Sequence, residues 1–301
     1  MTDLTETSTR TTASAPTKSG KKGSRRSVLT RRWLAFGVIN AVLLIGVLIE
    51  VVPYLYMAFG AFKNNAEIFG DPITLWPSAW TWENMTGLLA AFPMARWLFN
   101  TAVVAVVGTL LAVLLSSLAG FAFAKYEFRF KKTLLTILLV SILLPSQVLL
   151  VPQFEVIRTL DWFNTYQGLI VPRAVTAFGI ILMRQYTLSV PNELLDAARV
   201  DGASEFRIWW RIVLPLVRPG LAVLGILSFL NLWNDFFWPL VITTDPDMFV
   251  VNLGISSLVG PYDYQYGMLL SGALIASLPV IAVFLFFQRQ FVSGLTRGAL
   301  K

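Results

Sequence analysis

The chain has 301 residues, 56% of them hydrophobic and only 14% charged, with no cysteine, no histidine and a net charge of +7. A soluble domain carries about a quarter charged residues, so this composition departs toward lipid, and several apolar runs reach the roughly 20 residues that cross a hydrocarbon core. The missing Cys and His exclude thiol nucleophiles, disulfides, imidazole acid–base chemistry and most transition-metal sites.

Residues 1–32 are polar, rich in Ser and Thr, and close on a basic cluster of Lys18, Lys21, Lys22, Arg25, Arg26, Arg31 and Arg32. Such a segment buries too little apolar surface to offset the entropy of ordering, so a disordered tail is expected. The apolar run that follows is too long for a signal-peptide core and no small-residue cleavage site follows it, which predicts an uncleaved first span.

That span is expected over about residues 33–62, broken by Glu50 and Pro53. Residues 63–96 are polar and aromatic, with Thr81 placed to cap a short helix that has Glu83 in its first turn. The second span covers about 97–124 and is followed by a short basic loop, KYEFRFKK. The third covers about 133–151 with Pro145 inside it, and a short linker leads to the fourth, about 165–183, which contains Arg173. The fifth covers about 219–243 and the sixth about 268–287. Between those two, residues 244–267 hold Asp245, Asp247 and Asp263 and no Lys or Arg. The expected fold is an all-α integral membrane protein of six transmembrane helices.

Six spans put both termini on one side, and 20 of the 24 Lys and Arg residues fall on that side. The excess of positive charge marks it as cytoplasmic. In a membrane chain a basic balance reports orientation first, and nothing in it calls for nucleic acid.

One long charged stretch then lies in the cytoplasm between the fourth and fifth spans, Glu193 to Pro215 within a loop of about 189–218. Pro191 suits the first position of a helix, where its missing N–H costs nothing. Glu193 and Asp196 follow near the helix N-terminus, where negative charge is favoured. Leu194, Ala197 and Ala198 fall at i, i+3, i+4 and make a small apolar face. Gly202 closes the helix in a left-handed conformation. Ser204 caps a second helix with Glu205 in its first turn, running through Trp209 and Trp210 until Leu214-Pro215 ends it. On these residues alone the product is either a re-entry loop with its tryptophans at headgroup level or a docking element for another protein. DNA binding by a helix–turn–helix is remote, because both ends are tethered to spans.

The spacing Asp196-Ala197-Ala198, three residues, Gly202, nine residues, Ile212-x-Leu214-Pro215 resembles the EAA loop of ABC importer permeases, with Asp196 where the family has Glu. Further matches resemble the carbohydrate-uptake branch, most closely its six-span subunit related to the maltose permease's G component. They are Pro53-Tyr54-Leu55, Trp97 to Thr101, Asn164-Thr165-Tyr166, Trp233-Asn234-Asp235-Phe236 with Pro239-Leu240, and the ending from Gln288. The resemblance implies a type I ABC importer permease fold in a bacterial cell membrane. It also implies that the Glu193 loop docks on a cytoplasmic ATPase. The implied partners are a second homologous permease, two copies of the ATPase and an extracytoplasmic solute-binding protein. No G-x-x-x-x-G-K-[ST] stretch occurs, so the chain is expected to be no enzyme and to need no cofactor, ATP being bound and hydrolysed by the partner.

For the solute, Ser228, Asn231 and Asp235 stand at i, i+3, i+7 in the fifth span, with Asn234 beside them. Amides and a carboxylate pair with sugar hydroxyls, and Trp233, Phe236 and Trp238 offer faces for sugar rings. The competing reading packs the same stripe against neighbouring helices. Arg173 needs a carboxylate or carbonyl partner, and structural pairing is the expected role. A transporter or channel driven by an ion gradient, using Asp235 and Arg173 as relays, is the rival reading. Such folds often carry inverted repeats, and none is evident. A membrane scaffold without transport is a third.

Overall fold

A computed structural model describes residues 23–258 and 265–299, with side chains for 36–258 and 265–288. The polar tail through Lys22, the loop holding Asp263, and the side chains of the motif ending after Gln288 lie outside the described residues. Contacts divide the chain into Met1–Tyr54 and Leu55–Lys301. Every described element is a helix, a turn or an irregular connection, and no strand occurs among the described residues.

Helix α1 spans Gly23–Gly60 and is continuous through both Glu50 and Pro53. The expected break is absent, as is common for proline in apolar helices whose neighbouring groups take up the freed carbonyl. The helix also starts ten residues earlier than the expected span. Arg, Leu and Ser carry it through the basic cluster, and no Pro interrupts them.

Beyond α1 the chain forms a tight knot around two short helices, α2 (Asn65–Ile68) and α3 (Glu83–Ala91). Lys63 is fully buried there, donating to the Thr74 carbonyl and hydroxyl. Glu67 accepts from the Ser78 N–H at 2.8 Å and hydroxyl at 2.9 Å. Trp82, not Thr81, is the cap residue of α3; Thr81 sits one position before it and accepts the Glu83 N–H at 3.2 Å.

The hub of the fold is α4, Met94–Lys125, which packs along α8 (Ala177–Leu188) and α12 (Arg218–Trp233). Its small residues permit that approach. A Cβ added at Gly120 would lie 2.7 Å from the Met183 Cβ and 2.8 Å from the Arg184 nitrogen, so this crossing is made by backbone against backbone.

The expected third span is not one helix. Helix α5 (Lys131–Leu143) ends early, a 3-10 turn covers Ser146–Leu149, and α6 (Leu150–Thr159) leaves at 106°. Pro145 is the cause: it pushes Leu144 out of the helical region, to ψ 126°. The fourth span also breaks, with α7 (Tyr166–Ile170) and a 3-10 turn through Arg173 meeting α8 at 46°. Thr176 restarts the chain by accepting the Gly179 N–H at 3.1 Å. Arg173 therefore sits at a break rather than inside a helix.

The next elements are α9 (Asn192–Val200), α10 (Glu205–Ile208) and α11 (Leu214–Leu216). An 83° bend at Val217 then turns the chain into α12. The fifth span breaks too, at Asn234–Phe236, before α13 (Phe237–Ile242). Pro239 in the first turn of α13 has no N–H for the Asp235 carbonyl, and its ring would collide with that carbonyl in a continuous helix. Helices α14 (Val251–Ser256) and α15 (Tyr266–Ala299) complete the fold, with α15 packed on α12, α3 and α14.

Among the described residues, three helices are long and apolar enough to cross a membrane, and the number rises to as many as six if each bent pair counts as one span.

The motif residues shared with the carbohydrate-uptake branch serve mostly as struts. Asn100 donates to the carbonyls of Asp247 (2.8 Å) and Phe249 (2.9 Å), while Tyr166 donates to Asn100 Oδ1 at 2.6 Å. Trp97 Nε1 donates to the Pro246 carbonyl at 3.0 Å. Asn164 Oδ1 accepts from Thr244 N–H (2.7 Å) and Asp245 N–H (3.0 Å). Together they hold residues 244–249 down on α4 and α7.

Candidate functional site

Two features carry the polar chemistry of the chain. The first is the pair of helices α9 and α10. At Gly202 the backbone is left-handed, φ 77°. The Ala203 N–H donates to the Ala198 carbonyl at 2.9 Å and the Gly202 N–H to the Arg199 carbonyl at 3.0 Å, the paired bonds of a Schellman helix end. Ser204 then caps α10 by accepting the Arg207 N–H at 3.4 Å. These three expectations hold.

Other details differ. Pro191 is the cap residue before α9, not its first residue. The buried face of α9 is Leu195 with Ala198, not Leu194 with Ala197. Leu195 joins Ile208, Trp209, Val213 and Val217 in a core shared with Phe121 of α4 and Met183 of α8. Trp209 is 1% exposed and belongs to this core, whereas Trp210 is 55% exposed. Pro215 does not end the helix, because a π turn over Trp209–Val213 precedes it, with the Leu214 N–H donating to the Trp209 carbonyl. That wider turn lets the proline enter without a helix break. Ile212 and Leu214 of the motif pack on the same core.

Outside, α9 and α10 expose four apolar side chains, Leu194, Ala197, Val200 (89% exposed) and Phe206 (64% exposed), among the exposed Glu193, Asp196, Glu205 and Arg207. Charges rigidify the pair from the side. Arg199 reaches Asp196 Oδ1 at 2.7 Å and grips Glu205 through Nε (2.8 Å) and Nη2 (3.3 Å). This fork bridges α9 to α10 across Gly202, a geometry that suits guanidinium and carboxylate. Tyr126, at the end of α4, donates to Glu205 as well. Lys125 donates to the Val190 carbonyl (2.5 Å) and Asn192 Oδ1 (2.8 Å). The bonds from Arg199, then Tyr126, hold the Glu205 carboxyl below its ordinary range. Burial, followed by the nearby Glu205 carboxylate, pushes the Tyr126 hydroxyl up. Glu193 is exposed at the start of α9. Lys125 and Tyr126 were not singled out in the sequence, where their signal was only a short basic loop.

The second feature is a cavity of about 620 Å³, with Ser146, Gln147, Arg173, Asn231, Asn234 and Asp235 on its wall beside Phe236 and Phe237. A neighbouring cavity of about 370 Å³ shares Arg173 and Asn231 and adds Thr176 and Ser228. All four polar residues picked from the fifth span therefore border this space. They do so differently than expected, since Asp235 lies past the end of α12 and not on its stripe. Ser146 and Gln147 come from the Pro145 break, which falls inside the expected third span. The breaks of the third, fourth and fifth spans all open onto the cavities. Non-helical backbone at membrane depth is tolerated where it faces such a space.

Arg173 and Asp235 meet there, Nη2 to Oδ2 at 3.4 Å. Arg173 also lies 5.6 Å from the ring centre of Trp238, and its Nε is buried without a hydrogen-bond acceptor. Asp235 Oδ1 accepts the Trp238 N–H at 3.4 Å. Two aromatic residues expected near the solute are structural instead: Trp233 Nε1 donates to the Ala276 carbonyl at 3.1 Å, and Trp238 Nε1 to that of Gly168 at 2.9 Å. Among the described residues no cluster of acidic side chains could hold a metal ion.

A helical membrane chain with broken spans around a polar cavity, and a rigid two-helix loop at one end, defines a transport protein class. Residues 112–297 match the family of binding-protein-dependent transport system inner membrane components, and the chain belongs to that family. It is 36% identical over 256 residues to the arabinooligosaccharides transport system permease protein AraQ of Halalkalibacterium halodurans, covering 84% of this chain and 92% of AraQ. It is 33% identical over 265 residues to the sn-glycerol-3-phosphate transport system permease protein UgpE of Yersinia enterocolitica, covering 85% and 94%. Its fold matches a chain in the crystal structure of a bacterial ABC transporter involved in the import of the acidic polysaccharide alginate. That match has a TM-score of 0.77 and 23% identity, covering 86% of this chain and 97% of the other. The chain is thus a multi-pass permease component of the bacterial inner membrane.

Proposed function

We propose that this chain forms half of the translocation pathway of an ATP-driven importer for a sugar or sugar-like solute. It crosses the membrane six times with both termini in the cytoplasm, beside a second homologous permease. Two copies of a separate ATPase dock below, and a solute-binding protein delivers from outside. The mechanism is alternating access: ATPase closure moves α9 and α10, and their shared core with α4 and α8 passes the motion to the spans around the cavity.

The observation that carries the reading is the exposed apolar face of Leu194, Ala197, Val200 and Phe206 on a loop otherwise locked by charge and packing. Large exposed apolar side chains on a rigid, charged-rimmed element mark a protein interaction site. The buried side of the same element touches the hub helix, which gives the docked partner a mechanical path inward. In this reading Asp196, Ala197, Ala198 and Gly202 shape the docking helix, while Ile212, Leu214 and Pro215 seat it.

Val200→Asp places charge on that face without touching the core, and Phe206→Asp does so while also removing a ring contact with Trp209, 5.2 Å between centroids. Both variants are expected to reach the membrane at normal levels, lose the co-purifying ATPase and lose uptake. Retention of ATPase and uptake in both would sink the docking assignment. Uptake that survives ATP depletion and collapses with the proton gradient would favour an ion-driven relay through Asp235 and Arg173 instead.

A further inference from the structure

The two cavities carry one positive and one negative side chain among their described lining residues, and these two face each other. Arg173 approaches from the break in the fourth span and Asp235 from the break in the fifth, 3.4 Å apart. The rest of the polar wall is uncharged: Ser146, Gln147, Asn231 and Asn234 on the larger cavity, Thr176 and Ser228 on the smaller. We infer that the cavity selects an uncharged, polyhydroxylated solute, and that Asp235 sets this selectivity by cancelling the charge of Arg173. The inference rests on the reading of the cavity as the solute's path and narrows the class of solute within it.

The physical ground is the cost of moving a charged group out of water. A carboxylate or phosphate entering the cavity would shed hydration and find its one cation already held by Asp235, a penalty that a buried charge avoids only by pairing. A hydroxyl group has no such need. The wall gives it amide and hydroxyl donors and acceptors on three elements. Phe236 and Phe237 supply apolar surface for the faces of a sugar ring. The volume of about 620 Å³ lies within the usual range for small-molecule sites.

The pair also assigns distinct roles to its members. Arg173 supplies donors to the wall and lies against Trp238. Asp235 is a specificity residue: with Asn in its place the wall would carry one uncompensated cation. The same pocket would then attract the anions it now rejects.

The chain contains no cysteine, so Ser146→Cys puts a single thiol of this subunit on the cavity wall. The experiment uses the full-length chain with its co-purifying partners in lipid nanodiscs, without soluble binding protein and with any partner thiols blocked or subtracted. Modification rates are compared for an anionic and a cationic methanethiosulfonate. Their ratio is expected to match that of a free thiol in the otherwise native chain. It should shift at least about 5-fold toward the anionic reagent with Asp235→Asn, and as far the other way with Arg173→Gln, the effect of one unit charge at short range. The double variant should return to the starting ratio. A ratio unmoved by Asp235→Asn overturns the neutralisation.

A second reading uses protection of the same thiol from a neutral maleimide. Neutral pentose and hexose disaccharides should slow the reaction, whereas uronate and phosphorylated counterparts should slow it only in the Asp235→Asn chain. Equal protection by neutral and acidic sugars in the native chain overturns the selectivity and leaves the solute path standing. Protection by neither class overturns the solute path, and the inference with it.

Discussion

Gly202 is the residue on which the geometry of the docking loop turns. Its positive φ is needed for the Schellman bonds, and open space surrounds it, so nothing but the backbone opposes a side chain there. An L-residue in this conformation costs roughly 1–2 kcal/mol, least for Asn. Gly202→Val is therefore expected to uncouple ATPase activity from uptake in a well-expressed protein, with Gly202→Asn retaining most of the coupling. Normal substrate-stimulated ATPase and uptake in the Val variant would count against a need for this left-handed turn.

Glu205 makes a prediction about pH. Its folded pKa is lowered from the ordinary value of 4.5 by Arg199 and Tyr126. The carboxylate's contribution is thus present above 4.5 and is lost as pH falls through the folded value. Thermal scans in detergent should show the native chain losing more stability than Glu205→Gln between about pH 5 and pH 3. A double-mutant cycle on Arg199 and Glu205 near neutral pH should give a coupling of about 0.2–1 kcal/mol, since both groups are partly exposed. The network was not visible in the sequence, because Tyr126 and Glu205 lie 79 positions apart. The glycine and serine signals were legible because they act within a few residues of themselves.

At the scale of elements, proline decides where helices stop. Pro145 and Pro239 both fall inside expected spans. The structure breaks the chain just before each, because a proline beyond the first turn of a helix leaves the carbonyl four residues back both unpaired and crowded. Pro53 and Pro279 are the counterexamples, kept within α1 and α15. No local pattern separates these cases. The difference lies in the polar groups that the breaks at Pro145 and Pro239 place on a cavity wall, which only the folded chain assembles. Pro239→Ala should let α12 run on past Trp233 and draw Asp235 into the helix. Uptake is expected to fall at unchanged expression, and unaltered uptake would show that the break is dispensable. The α4–α8 crossing gives a cleaner stability test. Gly120→Leu forces a side chain into backbone and should cost about 1–3 kcal/mol, read as a lowered melting temperature.

For the whole molecule, hydropathy and the distribution of basic residues made the membrane class and the docking loop legible. The cavity was legible only as a stripe of polar residues whose partner Arg173 had to be found in space. The proposed topology makes a direct prediction. Single cysteines at Ala203 and Thr244 should label with an impermeant maleimide from opposite faces of the membrane, Thr244 from outside. Labelling of both from one face would redraw the span count.

The breaks in the third, fourth and fifth spans have a consequence for how this transporter can be dissected genetically. Where a helix stops, its last carbonyls and the first N–H groups of the next helix lose their partners within the element. Around the cavity three such ends meet, and the lining side chains stand where those helix ends place them. Alanine scanning removes one side chain and leaves the ends in position, so it will read the wall as more tolerant than it is. Substitutions that move a helix end, such as Pro239→Ala, shift several lining groups at once and should weigh more heavily than the loss of any single amide side chain.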